Sequence, residues 1–165
     1  MTAAGRRTWK PVALAFLGAA AASGFGALAT DLSPWYYALH KPSWQPPDWL
    51  FGPVWTTIFA LAALAALFAW HRAPDVQSRR RMLIAFAANG LLNIIWSLLF
   101  FRLHRPDFAF YEVALLWSSI VTLMVLMWNY SRTSSLLLLP YLLWVSFASI
   151  LNIAIMQLNG PFTGG

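Results

Sequence analysis

Five apolar stretches, Val12–Thr30, Trp49–Trp70, Met82–Phe101, Phe108–Trp128 and Ser135–Leu158, contain between them a single charged residue, Glu112. Each is 19 to 24 residues long, and about 20 apolar residues in helix cross a hydrocarbon core about 30 Å thick. Backbone polar groups in hydrocarbon must be bonded internally, so such runs are helices or closed-barrel strands. Barrel strands alternate with period two over about 9–11 residues, whereas Leu61–Phe68 is apolar throughout. The chain therefore reads as an all-α membrane protein, a single bundle of five transmembrane helices in one domain covering residues 1–165.

Composition agrees. Of 165 residues, only 11 are Lys or Arg and 5 Asp or Glu, too few to cover a water-soluble globule. Cys is absent, which removes thiolate catalysis, thiolate metal sites and disulfides. The short links 31–48, 71–81, 102–107 and 129–134 force neighbouring helices antiparallel. Lys and Arg fall unevenly about them. Arg6, Arg7, Lys10, Arg72, Arg79, Arg80, Arg81 and Arg132 flank one side; Lys41, Arg102 and Arg105 flank the other. Positive flanks stay in the cytoplasm. The N-terminus is expected there, with loop 31–48 and the C-terminus opposite. The membrane reads as a bacterial cell membrane, inner or outer left open. As helix flanks, these basic residues do not suggest nucleic acid as a partner.

The first stretch has a signal-like start, Arg6, Arg7 and Lys10, and a small-residue triplet, Ala27-Leu28-Ala29. It exceeds the 7–15 residues of a signal core. It also carries Gly18, Ala22 and Gly26, a small-residue stripe suited to close helix packing. It is expected to be a retained span.

The 31–48 loop holds Pro34, Pro42, Pro46 and Pro47 among Trp35, Tyr36, Tyr37 and Trp44, with Trp49 and Trp55 just beyond. Proline fixes φ and restricts its predecessor, so the loop is expected to be stiff and extended. An interfacial aromatic belt is the ordinary explanation of such Trp residues. A rigid aromatic lid over the bundle mouth accounts better for the clustering. In the third stretch Asn89, Asn93, Trp96, Ser97 and Phe100 share one helical face. Two readings stay open for the amides: interhelical hydrogen bonding or a ligand site. The fifth stretch repeats the pattern with Tyr141, Trp144, Ala148 and Asn152, beside Phe147 and Leu151. Pro140 should kink or open that helix. Trp55 and Phe59 lie one turn apart on the second. No Ser/His/Asp set and no metal-ligand spacing is present, so the chain leans away from an enzyme and from a metal centre. His40 is the one His near the proposed mouth, and more readily a loop residue than an axial haem ligand. Glu112 is expected to reach interfacial water or Arg105.

The segment Lys41-Pro42-Ser43-Trp44-Gln45-Pro46-Pro47-Asp48-Trp49, followed by Gly52-Pro53-Val54-Trp55-Thr56, resembles the signature of the translocator protein family (TspO/MBR, tryptophan-rich sensory proteins, peripheral-type benzodiazepine receptors). Leu92-Asn93-Ile94-Ile95-Trp96-Ser97 and Pro140-Tyr141-Leu142-Leu143-Trp144 are similar to its third- and fifth-helix motifs. The resemblance implies a five-helix bundle, often a homodimer in membrane lipid. It also implies a pocket under the first loop for tetrapyrroles, meaning porphyrin or haem as ligand rather than tightly held cofactor, and for benzodiazepine-type compounds. By motif position the ligand-binding residues are Trp35, Tyr36, Pro42, Trp44, Trp55, Asn89, Asn93, Trp144, Phe147, Ala148 and Leu151; Phe59 and Phe100 join them by facing the same space. Phe59 stands where many members carry Tyr. The Tyr and Arg of the animal cholesterol motif are missing from Leu151–Gln157. Three functions follow as expectations: a membrane receptor or sensor for tetrapyrroles that also transports them; an enzyme degrading porphyrin in light, using Trp55 and Trp144; or a structural membrane protein whose Trp residues are belt and core.

Overall fold

The computed structural model describes residues 33–162. The Val12–Thr30 stretch, its Gly18-Ala22-Gly26 stripe, Ala27–Ala29 and the Arg6, Arg7, Lys10 cluster lie outside the described residues. The elements are α1 (Pro34–Ala38), α2 (Asp48–Arg72), α3 (Val76–Ser97) continued by a π-turn (Leu98–Arg102), α4 (Pro106–Trp128), α5 (Arg132–Leu136) and α6 (Leu139–Asn159). Four helical stretches, Asp48–Arg72, Val76–Arg102, Pro106–Trp128 and Arg132–Asn159, are long and apolar enough to cross a membrane. Their outward faces expose Leu83, Ile84, Leu91, Leu115, Val125, Leu143 and Ile150, a surface that suits lipid and not water.

Local chemistry sets the boundaries. Asp48 lies in the first turn of α2, where the helix dipole favours a carboxylate. α3 starts earlier than hydropathy suggests, at Val76, because Asp75 caps it by accepting from the Ser78 backbone N–H at 2.7 Å. That hydrogen bond holds the Asp75 carboxyl below its ordinary value. α4 opens on Pro106, a residue preorganised for a first helical position. The last span is not one helix. Ser131 caps the short α5 through the Ser134 N–H at 3.2 Å, and α6 restarts with Pro140 in its first turn. Pro140 has no N–H to continue the ladder, which is the opening its position suggests. The 31–48 loop is not extended throughout, since Pro34 begins α1.

α4 is the central helix, packed on α3 and α6. Its buried positions Ala109, Glu112, Val113, Leu116, Ile120, Leu123 and Met127 recur at helical spacing. The expectation for Glu112 is corrected. Arg105 instead pairs with Asp107, Nε to Oδ1 at 2.8 Å and a terminal nitrogen to Oδ2 at 2.5 Å. Glu112 turns into the bundle, 7% exposed, with neither oxygen bonded among the described residues. One end of the bundle is filled by small and flexible side chains, among them Ala65, Ala69, Met82, Leu123 and Met127. There α2 packs against α5; its contacts with α3 and α6 are fewer, and at its other end space opens between the three helices.

Candidate ligand cavity

That space is a cavity of about 470 Å³ between the first half of α2, the end of α3 and the Trp144–Ile155 stretch of α6. The antiparallel order brings these three segments to one end of the bundle, beneath the segment 33–47. Aromatic rings supply much of its wall: Trp49, Phe51, Trp55 and Phe59 from α2, Trp96, Phe100 and Phe101 from α3 and its π-turn, and Trp144 from α6. The rings brace one another. Trp55 stacks on Phe59 at 5.4 Å between centroids, Trp96 on Phe100 at 5.3 Å, and Phe51 meets Trp144 edge-on at 5.5 Å. The π-turn, closed by Leu103 N–H to Leu98 C=O at 2.9 Å, inserts one residue per turn and so brings the consecutive Phe100 and Phe101 to the same cavity. Ala148 leaves the α6 wall low beside Trp144. Gly52 does the same on α2, where an added Cβ would meet nothing within 4 Å.

Polar groups are few and placed at two levels. At the mouth, Tyr36 is 5% exposed and donates to Asp48 Oδ1 at 2.7 Å. Gln45 Nε2 donates to the same oxygen at 3.2 Å and to the Tyr36 hydroxyl at 3.3 Å. Lys41 lies 3.8 Å from Asp48 Oδ2 and 3.7 Å above the Tyr36 ring. Burial, reinforced by the adjacent carboxylate, holds the Tyr36 phenol above its ordinary pKa, so it stays a donor. Deeper in, Asn93, Ser97 and Asn152 line the wall. The lid is fastened at its far side: Asn159 Oδ1 accepts from the His40 N–H at 2.7 Å, and Asn159 Nδ2 donates to the His40 C=O at 2.8 Å.

Of the residues expected from sequence, Tyr36, Trp55, Phe59, Asn93, Phe100, Trp144, Ala148 and Leu151 line the cavity. Five do not. Trp35 stacks on His104 at 4.2 Å and braces Phe100 from behind. Pro42 accepts the Gln45 N–H at 3.0 Å, forming the turn that presents Gln45. Trp44 lies edge-on to Phe147 at 5.9 Å, and Phe147 faces a shallow outer groove with Pro53 and Pro140. Asn89 serves the interhelical reading: it accepts from the Tyr141 hydroxyl at 3.2 Å and donates to Ser119 at 2.8 Å. Asn93 donates to that same hydroxyl at 3.4 Å, so one chain of bonds ties α3, α4 and α6 beneath the cavity. Gln45, Asp48, Phe51 and Phe101 line the cavity without having been singled out for it. Gln45 and Asp48 carried a signal, their places in the Pro-rich segment Lys41–Trp49. His40 is not a lining residue, and among the described residues no cluster of three His, Asp or Glu is set to hold a metal.

The sequence matches the TspO/MBR family over residues 12–158. The chain is similar to the tryptophan-rich protein TspO of Chlorobaculum tepidum, 41% identical over 87% of this chain and 92% of that protein. It is similar to protein CrtK of Rhodobacter capsulatus, 34% identical over 89% and 91%, and to the human translocator protein, 29% identical over 79% and 78%. With four helices suited to crossing a bilayer, this is an integral membrane protein, and the chain belongs to the TspO/MBR family.

Proposed function

We propose that the protein is a membrane receptor or sensor for tetrapyrroles such as porphyrin or haem, which it holds as ligand and passes on, in the cavity under the 33–47 segment. The aromatic wall carries this reading. A cavity of about 470 Å³ is in the range of small-molecule sites, roughly 300–1,000 Å³, and opposed rings favour a flat conjugated guest over a branched aliphatic one. The cavity among the described residues also weighs against a purely structural role, in which the bundle would be filled. The mouth lies at the end of the bundle that bears Lys41, Arg102 and Arg105 and away from Arg79, Arg80, Arg81 and Arg132, so by the charge rule it opens opposite the cytoplasm. A homodimer is proposed on the family resemblance.

Titrating purified protein with protoporphyrin should quench Trp fluorescence saturably. Trp144→Phe and Ala148→Thr should each weaken binding several-fold. Unsaturable quenching, or equal affinity in both variants, overturns the reading. Light-driven porphyrin breakdown is favoured by one observation, that Trp55 and Trp144, two oxidisable indoles, both face the cavity. Multiple turnovers with defined products would support it; one bleaching event per chain with Trp oxidation would not.

A further inference from the structure

The chain's 5 acids are unevenly placed. Asp48 lies beside Lys41 and Asp107 pairs with Arg105, both at the roofed end; Glu112 is buried in α4. Asp31 follows the first apolar stretch, whereas Arg6, Arg7 and Lys10 precede it. At the closed end only Asp75 remains, and its carboxylate caps α3. Against it stand Arg72, Arg79, Arg80, Arg81 and Arg132. Among the described residues none of these makes an ion pair. Neutral neighbours hold three of them. A terminal nitrogen of Arg72 donates to Ser131 Oγ at 3.0 Å. The Arg79 guanidinium lies 5.4 Å from the centre of the Trp70 ring, and that of Arg132 5.4 Å from Trp128. Ser131 directly precedes Arg132, so the Arg72 bond joins the charge at the end of α2 to the charge at the start of α5. Trp70 and Tyr130, the residue before Ser131, pack on one buried cluster, which brings Arg79 to the same side of the bundle end.

These arginines stand at the level of lipid headgroups. Arg72 ends one membrane-crossing stretch and Arg132 begins another. Trp70 and Trp128 lie at helix ends, where indole rings sit at the bilayer interface. Phe68 is four residues before Arg72 and Leu136 four after Arg132, so each lies one turn further into the bilayer on the face of its Arg. Both are exposed. Charge above and apolar side chain below match a phosphate above its acyl chains. We propose that Arg72 and Arg132, with Arg79 beside them, dock the phosphate of an anionic phospholipid such as phosphatidylglycerol, whose acyl chains lie over Phe68 and Leu136. Guanidinium N–H groups donate in pairs to phosphate oxygens. A zwitterionic lipid brings an ammonium group with its phosphate and offsets less of the charge. An acidic protein would meet the arginines but brings no acyl chains to cover Phe68 and Leu136. The surface lies at the opposite end of the bundle from the cavity and needs no guest there.

Titrating the delipidated full chain in dodecyl maltoside with dioleoyl phosphatidylglycerol or dioleoyl phosphatidylcholine, read by native mass spectrometry, compares two headgroups on the same acyl chains. One basic residue beside an anionic surface is worth about fivefold in binding. With Arg72 and Arg132 both engaged, the glycerol lipid should bind about 25-fold more tightly, and the preference should shrink as salt is raised. Arg72→Gln and Arg132→Gln should each narrow it about fivefold, and the double variant should abolish it. Arg132→Lys, which keeps the charge, should retain most of it, and Arg105→Gln at the other end should leave it unchanged. Equal binding of the two lipids by the unaltered protein overturns the proposal whether or not any variant folds, as does a preference that survives in the double variant. Displacement of the lipid by millimolar inorganic phosphate assigns the site to the free ion and overturns the lipid source. Binding of polyglutamate with no preference between the lipids overturns it in favour of an acidic protein.

Discussion

At the residue scale the cavity depends on side chains that are small where the proposed guest would lie. Ala148 is the clearest case. Replacing it with Leu adds bulk beside Trp144 on a wall already closed by Phe51, and should lower porphyrin affinity at least about tenfold while leaving the helix intact, since Leu is a good helix former. Fluorescence quenching with circular dichroism checks both halves. Tyr36→Phe removes the donor to Asp48 and keeps the ring under Lys41; it should reduce stability by about 1 kcal/mol, read from denaturation in mixed micelles. Position by position, the sequence was most informative where residue type and period coincide. Trp55, Asn93, Trp144 and Ala148 sit on apolar-helix faces and line the cavity. Trp44, Pro42 and Phe147 are equally conspicuous but face away, because one side of a loop or helix cannot be told from the other when both are apolar. Glu112 was misjudged for a related reason: Arg105 was the nearest cation in sequence, but Asp107 lies nearer still and takes it.

At the element scale, capping and the π-turn matter more than hydropathy. Hydropathy begins the third stretch at Met82, whereas the Asp75 cap starts the helix at Val76, six residues earlier. Because its carboxyl is held below the ordinary value of 3.8, the cap's contribution is complete above that value. It is lost as pH falls through the lower folded-state pKa. Asn also caps helices well and does not titrate there. Asp75→Asn should therefore match the native protein at pH 7 and lose less thermal stability between pH 4 and pH 2, which a melting series would show. The π-turn was not legible at all, since Leu98–Arg102 has nothing in its composition to distinguish it from helix. Deleting Leu98 should restore α-helical spacing and rotate Phe101 off the wall, weakening porphyrin binding more than Ala substitution at Leu98, an exposed site.

At the scale of the whole molecule the bundle has two unlike ends. One is closed by Ala65, Ala69 and Met127 and bordered by Trp70 and Trp128, whose rings lie 5.4 Å from the Arg79 and Arg132 guanidinium groups respectively. The other is open and roofed. Among the described residues the roof's hydrogen bonds to α6 both run through Asn159, so Asn159→Ala should speed porphyrin release in stopped-flow experiments with little change in the melting temperature. That fastening joins residues 119 positions apart. Synthesis makes the roof before α2 and its fastener at the end of α6, so while the chain is being inserted the roof is held through Asp48 of α2 and lacks its hydrogen bonds to α6. Only when α6 has taken its place can the chamber shut. A chain halted before Asn159 would carry every ring of the wall and still be a vessel without a latch, so retention of the proposed guest would report that insertion has finished.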